Sequence, residues 1–262
     1  MNSFQAIVLG IVQGITEMLP ISSSAHLIIL PMIFNWNVPE WFDVALHAGT
    51  LFAIAIYFFK DWLDLIKKGF NYVVKKEKTV QGRMFWYIVL ATIPGGVIGF
   101  ILDKYLEEAL RRPIIIALAL IIMGIALYFV DKKSKNKVSY EKMTLKQTFL
   151  IGISQALAFI PGVSRSGVTI TTARLLGIKR EAAAKFSFML SAPIVLGATI
   201  FKLKDFVFNF PCIIGILVSF ITGLIVIKFL LNYIQKKDYK IFAIYRVIFG
   251  IIILAITIIK VF

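Results

Sequence analysis

Carboxylates are scarce in this chain: 14 Asp and Glu stand against 29 Lys and Arg among 262 residues, with only two His and one Cys. The lone Cys212 excludes an intramolecular disulfide and gives no sign of redox chemistry; its apolar neighbours mark it as a packing residue. No Lys or Arg precedes the first apolar stretch, so a cleaved signal peptide is not expected and the first segment is retained. The net charge of +15 does not read as a nucleic-acid footprint, because the basic residues sit in short loops rather than among exposed aromatics. Anionic lipid headgroups are the expected partner, and no nucleic acid is.

What the chain has in abundance is apolar length. With 59% hydrophobic and 16% charged residues and a mean hydropathy of +0.86, it is too apolar for a soluble domain and reads as a polytopic membrane protein. Nearly uncharged runs occur at 44–59, 84–102, 113–130, 186–201, 206–227 and 247–259, with two shorter stretches, broken by Gly and Pro, near 4–30 and 147–178. Only helices and closed barrels satisfy the backbone in hydrocarbon, and these runs lack the alternation of a barrel strand. The expectation is an all-α protein with six spans and two interrupted segments.

The interrupted segments echo each other. "GISQALAFIPGVSRSGVT" from Gly152 repeats the order of Gly10, Gln13, Pro20 and the serines that follow, and the run at 50–66 resembles that at 192–208. The chain therefore divides into a repeat over about 1–130, a linker at 131–146 and a second repeat over about 147–262. Each repeat holds three spans and one interrupted segment, and an odd number of crossings inserts the second upside down relative to the first, an inverted-topology repeat. Charge agrees. The loops 60–83, 131–146 and 233–240 carry seven, six and three Lys or Arg, the opposite loops 103–112 and 202–210 three and two, and Lys260 adds one at the C-terminus. The first group is then cytoplasmic and both termini are outside.

The interrupted segments are expected to enter as re-entrant helical hairpins from opposite faces and to meet tip to tip. Pro20 and Pro161 mark the breaks, since a proline disfavours helix at the residue before it, and the serines just beyond are suited to cap a new helix. Two helix N-termini, Ser22 to Ser24, Ser164, Ser166, Gly167 and Arg165 then describe an anion site suited to a phosphate or diphosphate. Glu17 lies one turn beyond Gln13, and a carboxylate in a membrane segment is costly enough to suggest a function, either general acid/base work or metal ligation with Gln13 as a neutral partner. His26 follows Ser23 by three residues and Ser22 by four, which places imidazole and hydroxyl on one face as a base and its nucleophile. Arg165, between two serines at a helix break, is suited to clamp phosphate oxygens. Arg174, Lys179, Arg180 and Lys185 read as headgroup anchors, Thr16, Thr169 and Thr171 as interhelical hydrogen-bonding residues, and His47 as either packing or support for the site.

"QGITEMLPISSSAH" at 13–26 and "PGVSRSG" at 161–167 resemble the two signatures of the undecaprenyl-diphosphate phosphatase family associated with bacitracin resistance, and "FAIYR" at 242–246 extends the likeness. The resemblance implies an integral membrane hydrolase that converts the C55 isoprenyl diphosphate to its monophosphate and so recycles the lipid carrier of cell-wall synthesis. It implies catalytic roles for Glu17, Ser23, His26 and Arg165, work at the outer face of the plasma membrane, and a divalent cation, Mg2+ or Ca2+. Gln13 stands where many members have Glu, so a cation held by Glu17 and Gln13 has one carboxylate fewer. Either Ser23, with His26 as base, or His26 itself attacks the terminal phosphorus. The rival reading is a lipid-phosphate transporter or flippase with the same anion site, which has no need of a nucleophile. The expected partners are the prenyl diphosphate and membrane lipids, and the chain leaves a homodimer open.

Overall fold

The computed structural model describes the backbone of residues 1–259, with the side chains at 99, 100, 102–109 and 205 excluded; Lys260 and part of the 103–112 loop of the charge comparison thus lie outside the described residues. Within them the chain is all-helical apart from one isolated bridge, Val138 to Ile178. The helices are α1 (Ser3–Met18), α2 (Ser23–Phe34), α3 (Glu40–Tyr57), α4 (Phe59–Val74), α5 (Val80–Leu110) and α6 (Pro113–Lys133). There follow α7 (Leu145–Ser154), α8 (Arg165–Leu175), α9 (Arg180–Lys202), α10 (Phe210–Lys236) and α11 (Lys240–Ile259). Four of these, α6, α9, α10 and α11, are long and apolar enough to cross a membrane, or five if the bent pair of α3 and α4 counts as one. Six spans were expected. The remaining run lies on the 31-residue α5, and the run at 44–59 ends where α3 turns by 76° into α4.

Both interrupted segments are hairpins. A capping box of Asn2 with Gln5 starts α1, the chain leaves the helix at Leu19 ahead of Pro20, and Ser22 caps α2 by accepting from the Ala25 N–H. Likewise Thr144 and Gln147 start α7, a 3-10 turn over Gln155–Phe159 carries it to Pro161, and Ser164 caps α8 by accepting from the Gly167 N–H at 3.0 Å. Both capping serines sit at positive φ, 74° for Ser22 and 69° for Ser164.

The first arm of each hairpin packs on a long helix from the other half of the chain, α1 on α10 and α7 on α5. Small residues allow this. A Cβ at Gly14 would stand 2.9 Å from the Ser219 carbonyl oxygen, and one at Gly152 would stand 2.7 Å from the Cα of Ala91. Further pairs are α3 with α10, α5 with α9, α3 with α9 and α6 with α11.

Contacts between connections sort the bundle into two ends. At one, Phe4 meets Trp36, Trp41 meets Phe206 and Arg111 pairs with Glu40. At the other, Arg83 donates to the Glu141 carbonyl and the backbone of Lys137 and Val138 bonds to Gly177. There Asp131 also ties α6 to Arg174, Arg180 and the Tyr239 N–H. This second end gathers the three most basic connections. Arg174 is a correction to the headgroup-anchor reading: only 1% exposed, it donates to Asp131 at 2.6 Å, Asn136 at 2.8 Å and the Ile178 carbonyl at 2.5 Å. Lys185 departs too, pairing with Asp61 of α4 at 2.5 Å. Burial raises the Tyr239 phenol well above its ordinary range, and it donates to the Arg180 carbonyl.

Candidate active site

The two hairpin tips meet inside the bundle. Ser166 Oγ donates to the Leu19 carbonyl at 3.1 Å, and the fully buried Arg246 of α11 joins both tips. Its guanidinium donates to the Pro20 carbonyl at 3.1 Å and to the carbonyls of Gly162 and Val163 at 2.8 Å each. Among the described residues no carboxylate pairs with Arg246; it is held by the carbonyls that the two helix breaks leave without helical partners. Gly167 leaves room for it, because a Cβ there would press on an Arg246 nitrogen and displace the guanidinium from the tip carbonyls.

Glu17, at the last turn of α1, is 7% exposed and collects four donors. Arg165 pairs with Oε1. Oε2 accepts the Ser23 hydroxyl at 2.5 Å, faces His47 Nε2 at 3.4 Å and is reached by the Gln13 amide at 3.4 Å. The carboxylate therefore links α1, α2, α3 and α8 in one network. Gln13 is fully buried, and its Oε1 finds no partner among the described residues. Ser22 and Ser24 share a hydroxyl contact at 3.2 Å, as do Ser164 and Ser166. A cavity of ≈ 210 Å³, lined by Ser24, Asp43, His47, Arg111, Phe159 and Pro161, leads from this cluster toward the less basic end.

The structure thus brings Glu17, Gln13, Ser23 and Arg165 together, with the other tip serines around them. It does not pair Ser23 with His26. Helical spacing allowed that pair, but the tip geometry turns the hydroxyl to Glu17 and the ring to other partners: Nδ1 lies 2.7 Å from the Ser22 carbonyl and Nε2 2.7 Å from the Tyr245 hydroxyl. His47 is the imidazole that touches the carboxylate, with Nδ1 on the Asp43 carbonyl at 2.7 Å. Thr50, one turn on, receives the Gln13 amide at 3.5 Å. The signal for His47 was its rarity, one of two histidines in an apolar helix, but nothing local showed that α3 would pass Glu17. Thr169 does bond across helices, to Ser187 at 2.8 Å, whereas Thr16 and Thr171 back-bond to their own helices.

A cation would need hard oxygen donors here. Among the described residues no three His, Cys, Asp or Glu side chains form a metal cage. The free Gln13 Oε1 beside the Glu17 carboxylate does suit a divalent ion that draws its other oxygens from a bound phosphate.

Comparison with known proteins gives a consistent picture. The model of the family described as bacitracin resistance protein BacA matches residues 6–252. A protein named undecaprenyl-diphosphatase from Caldicellulosiruptor bescii is 48% identical, covering 97% of this chain and 97% of its own length. Proteins of the same name from Pelotomaculum thermopropionicum and Desulforudis audaxviator are 47% and 44% identical, over 97% and 99% of this chain and 96% and 100% of theirs. With both signature tips inside the matched region and the likeness running from end to end, the chain belongs to the bacitracin resistance protein BacA family.

Proposed function

We propose that this protein is an undecaprenyl-diphosphatase of the membrane, which hydrolyses the prenyl diphosphate to the monophosphate and inorganic phosphate, recycles the cell-wall lipid carrier and thereby confers bacitracin resistance. The observation that carries the mechanism is the 2.5 Å hydrogen bond from Ser23 to Glu17 beside Arg165. A carboxylate that close accepts the hydroxyl proton as Oγ attacks the terminal phosphorus. The bond to the bridging oxygen breaks, and the prenyl monophosphate leaves. Water then attacks the phosphoserine, Glu17 returns the proton it holds to the departing Ser23 Oγ, and the water's hydrogens leave with the released phosphate, so that Ser23 and the Glu17 carboxylate are both restored.

Arg165 has a double duty. In the resting site it balances Glu17; when the diphosphate enters and Glu17 takes up a proton, the guanidinium is released to the phosphate oxygens. The N-termini of α2 and α8, with Ser22, Ser24, Ser164, Ser166 and Gly167, aim their N–H groups at the same charge. Gln13 and Glu17 would hold the divalent cation, Mg2+ or Ca2+, whose chemistry is to neutralise the diphosphate. The prenyl chain lies along the apolar groove between α2, α6 and α11, bounded by Ile29, Met32, Pro113 and Ile253.

The inverted repeat is part of this reading. What supports it is the exchange of packing partners: α1 on α10 answers α7 on α5, and α3 on α10 answers α9 on α5. Two hairpins entering from opposite ends can then present their tips to one site, opening through the Asp43 and Arg111 cavity to the outer face.

The test is phosphate release from a C55 prenyl diphosphate by the purified protein. Ser23→Ala removes the nucleophile and is expected to abolish turnover, and Arg165→Ala to lower it about 10²- to 10³-fold, the loss seen when one transition-state donor is deleted; both variants are expected to insert, with Arg165→Ala less stable because the buried Glu17 carboxylate loses its ion-pair partner. Normal turnover in either variant sinks the mechanism.

A further inference from the structure

His26 sits in the signature of the first tip, yet its ring does not touch the Glu17, Ser23 and Arg165 cluster. Its two nitrogens are already engaged. Nδ1 stands 2.7 Å from the Ser22 carbonyl. A carbonyl only accepts, so Nδ1 carries a proton. The neutral ring then offers Nε2 as an acceptor, and the Tyr245 hydroxyl stands 2.7 Å away to fill it. Phe249 stacks on the imidazole at 4.4 Å between centroids, 16° from parallel, and fixes its plane. The ring is 9% exposed, so it is held between α2 and α11 rather than presented to a cavity.

The second tip shows what this arrangement replaces. There the carbonyl of the capping Ser164 takes the backbone N–H of Val168, four residues on, at 2.8 Å. At the first tip the residue four beyond the capping Ser22 is His26, and its side chain binds the carbonyl. Ser22 has φ of 74°, a conformation disfavoured for a residue with a Cβ, and its carbonyl belongs to the peptide unit that leads into Ser23. Whatever holds that carbonyl therefore sets the direction of the Ser23 hydroxyl.

We infer that His26 and Tyr245 form a positioning relay for the nucleophile: the Tyr245 hydroxyl fixes the proton of His26 on Nδ1, and Nδ1–H pins the Ser22 carbonyl so that Ser23 points at Glu17. Neither residue takes a proton from the reaction or bonds to phosphorus. This rests on Ser23 as nucleophile, proposed above. It also gives "FAIYR" at 242–246 a purpose, since Tyr245 braces the first tip and Arg246 joins it to the second.

The experiment compares His26→Asn, His26→Ala and Tyr245→Phe in the purified full-length protein, with kcat and KM for a C55 prenyl diphosphate. An asparagine amide presents an N–H close to the place of Nδ1 and can make the bond to the Ser22 carbonyl, but it can act neither as base nor as nucleophile. His26→Ala is expected to lose about a hundredfold in kcat, the scale of a small misplacement of a reacting group. His26→Asn is expected to recover about tenfold of that, and Tyr245→Phe to lose about fivefold in kcat, the weight of one hydrogen bond, each with KM unchanged. Equal loss in His26→Asn and His26→Ala overturns the inference. So does an acid-labile phosphoryl group trapped on the ring, or rescue of His26→Ala by added imidazoles in proportion to their basicity. Tyr245→Phe keeps the stacked ring, so its kcat reads the relay even where His26→Ala proves unstable. Full turnover in Ser23→Ala would instead remove the nucleophile proposed above, whatever position 26 shows, so the two failures are told apart.

Discussion

Gln13 and Glu17 share one helix face, and only one of them carries charge. Affinity of a hard cation for oxygen ligands rises with ligand charge. Gln13→Glu is therefore expected to lower the cation concentration that gives half-maximal phosphatase activity, with turnover at saturating metal little changed. Glu17→Gln removes both the carboxylate and the acceptor of the Ser23 proton, so it is expected to abolish activity at every metal concentration. A metal titration of both variants checks this; an unmoved midpoint in Gln13→Glu retires the cation role of that face. Position 13 was legible in the sequence because an amide and a carboxylate one turn apart share a face in any helix. His47 could be read only as either packing or support for the site, and Tyr245 was not read as a site residue at all. They lie on α3 and α11, and which residue of a distant helix faces Glu17 or His26 is decided by packing angles that local pattern does not encode.

The helices themselves were easier to read than their bends. Apolar runs of span length located α6, α9, α10 and α11, and the prolines with following serines located both tips, because a missing N–H and a capping hydroxyl act within a few residues. The turn between α3 and α4 was missed: the sequence stays apolar through Phe58, and the change shows only in α4. There Phe59, Leu63, Ile66 and Phe70 form an exposed stripe while Leu65 and Gly69 are buried. Such a helix suits the membrane boundary rather than its core. At this scale the glycines make a sharp test. Gly152 of α7 lies against the backbone of α5, whereas Gly197 of α9 has, among the described residues, nothing within 4 Å of where a Cβ would stand. Gly152→Ala is expected to destabilise the protein by about 1–3 kcal/mol through overpacking, and Gly197→Ala to leave it unchanged or raise stability by up to about 1 kcal/mol through helix propensity. Thermal unfolding in detergent measures both, and equal shifts would refute the close α5 to α7 contact as a packing constraint.

For the molecule as a whole, the two ends of the bundle are distinct in charge, and the placement of the site depends on which faces the cytoplasm. Connections 75–79, 134–144 and 237–239 share the basic end with the buried Asp131 and Arg174 pair; those at 35–39, 111–112 and 206–209 share the other. Basic connections are retained on the cytoplasmic side during insertion. Single cysteines in a Cys212→Ser background report this directly, since Cys212 is the one native thiol and is buried. Lys135 and Asn37 are both exposed, and among the described residues no hydrogen bond or ion pair is seen at either side chain, so Lys135→Cys and Asn37→Cys are expected to leave the fold intact. In intact cells an impermeant thiol reagent is expected to label Asn37→Cys and to spare Lys135→Cys until the membrane is opened. The Asp43 and Arg111 cavity lies at the Asn37 end, so the same result places the entrance for the diphosphate outside, where phosphate released on hydrolysis also departs. The reverse pattern would turn the molecule over and put that entrance in the cytoplasm. Labelling of both positions from one side would be worse for the fold, because it would deny that α1 and α2 form a re-entrant hairpin from the end opposite to α7 and α8, and with it the meeting of two tips at Glu17.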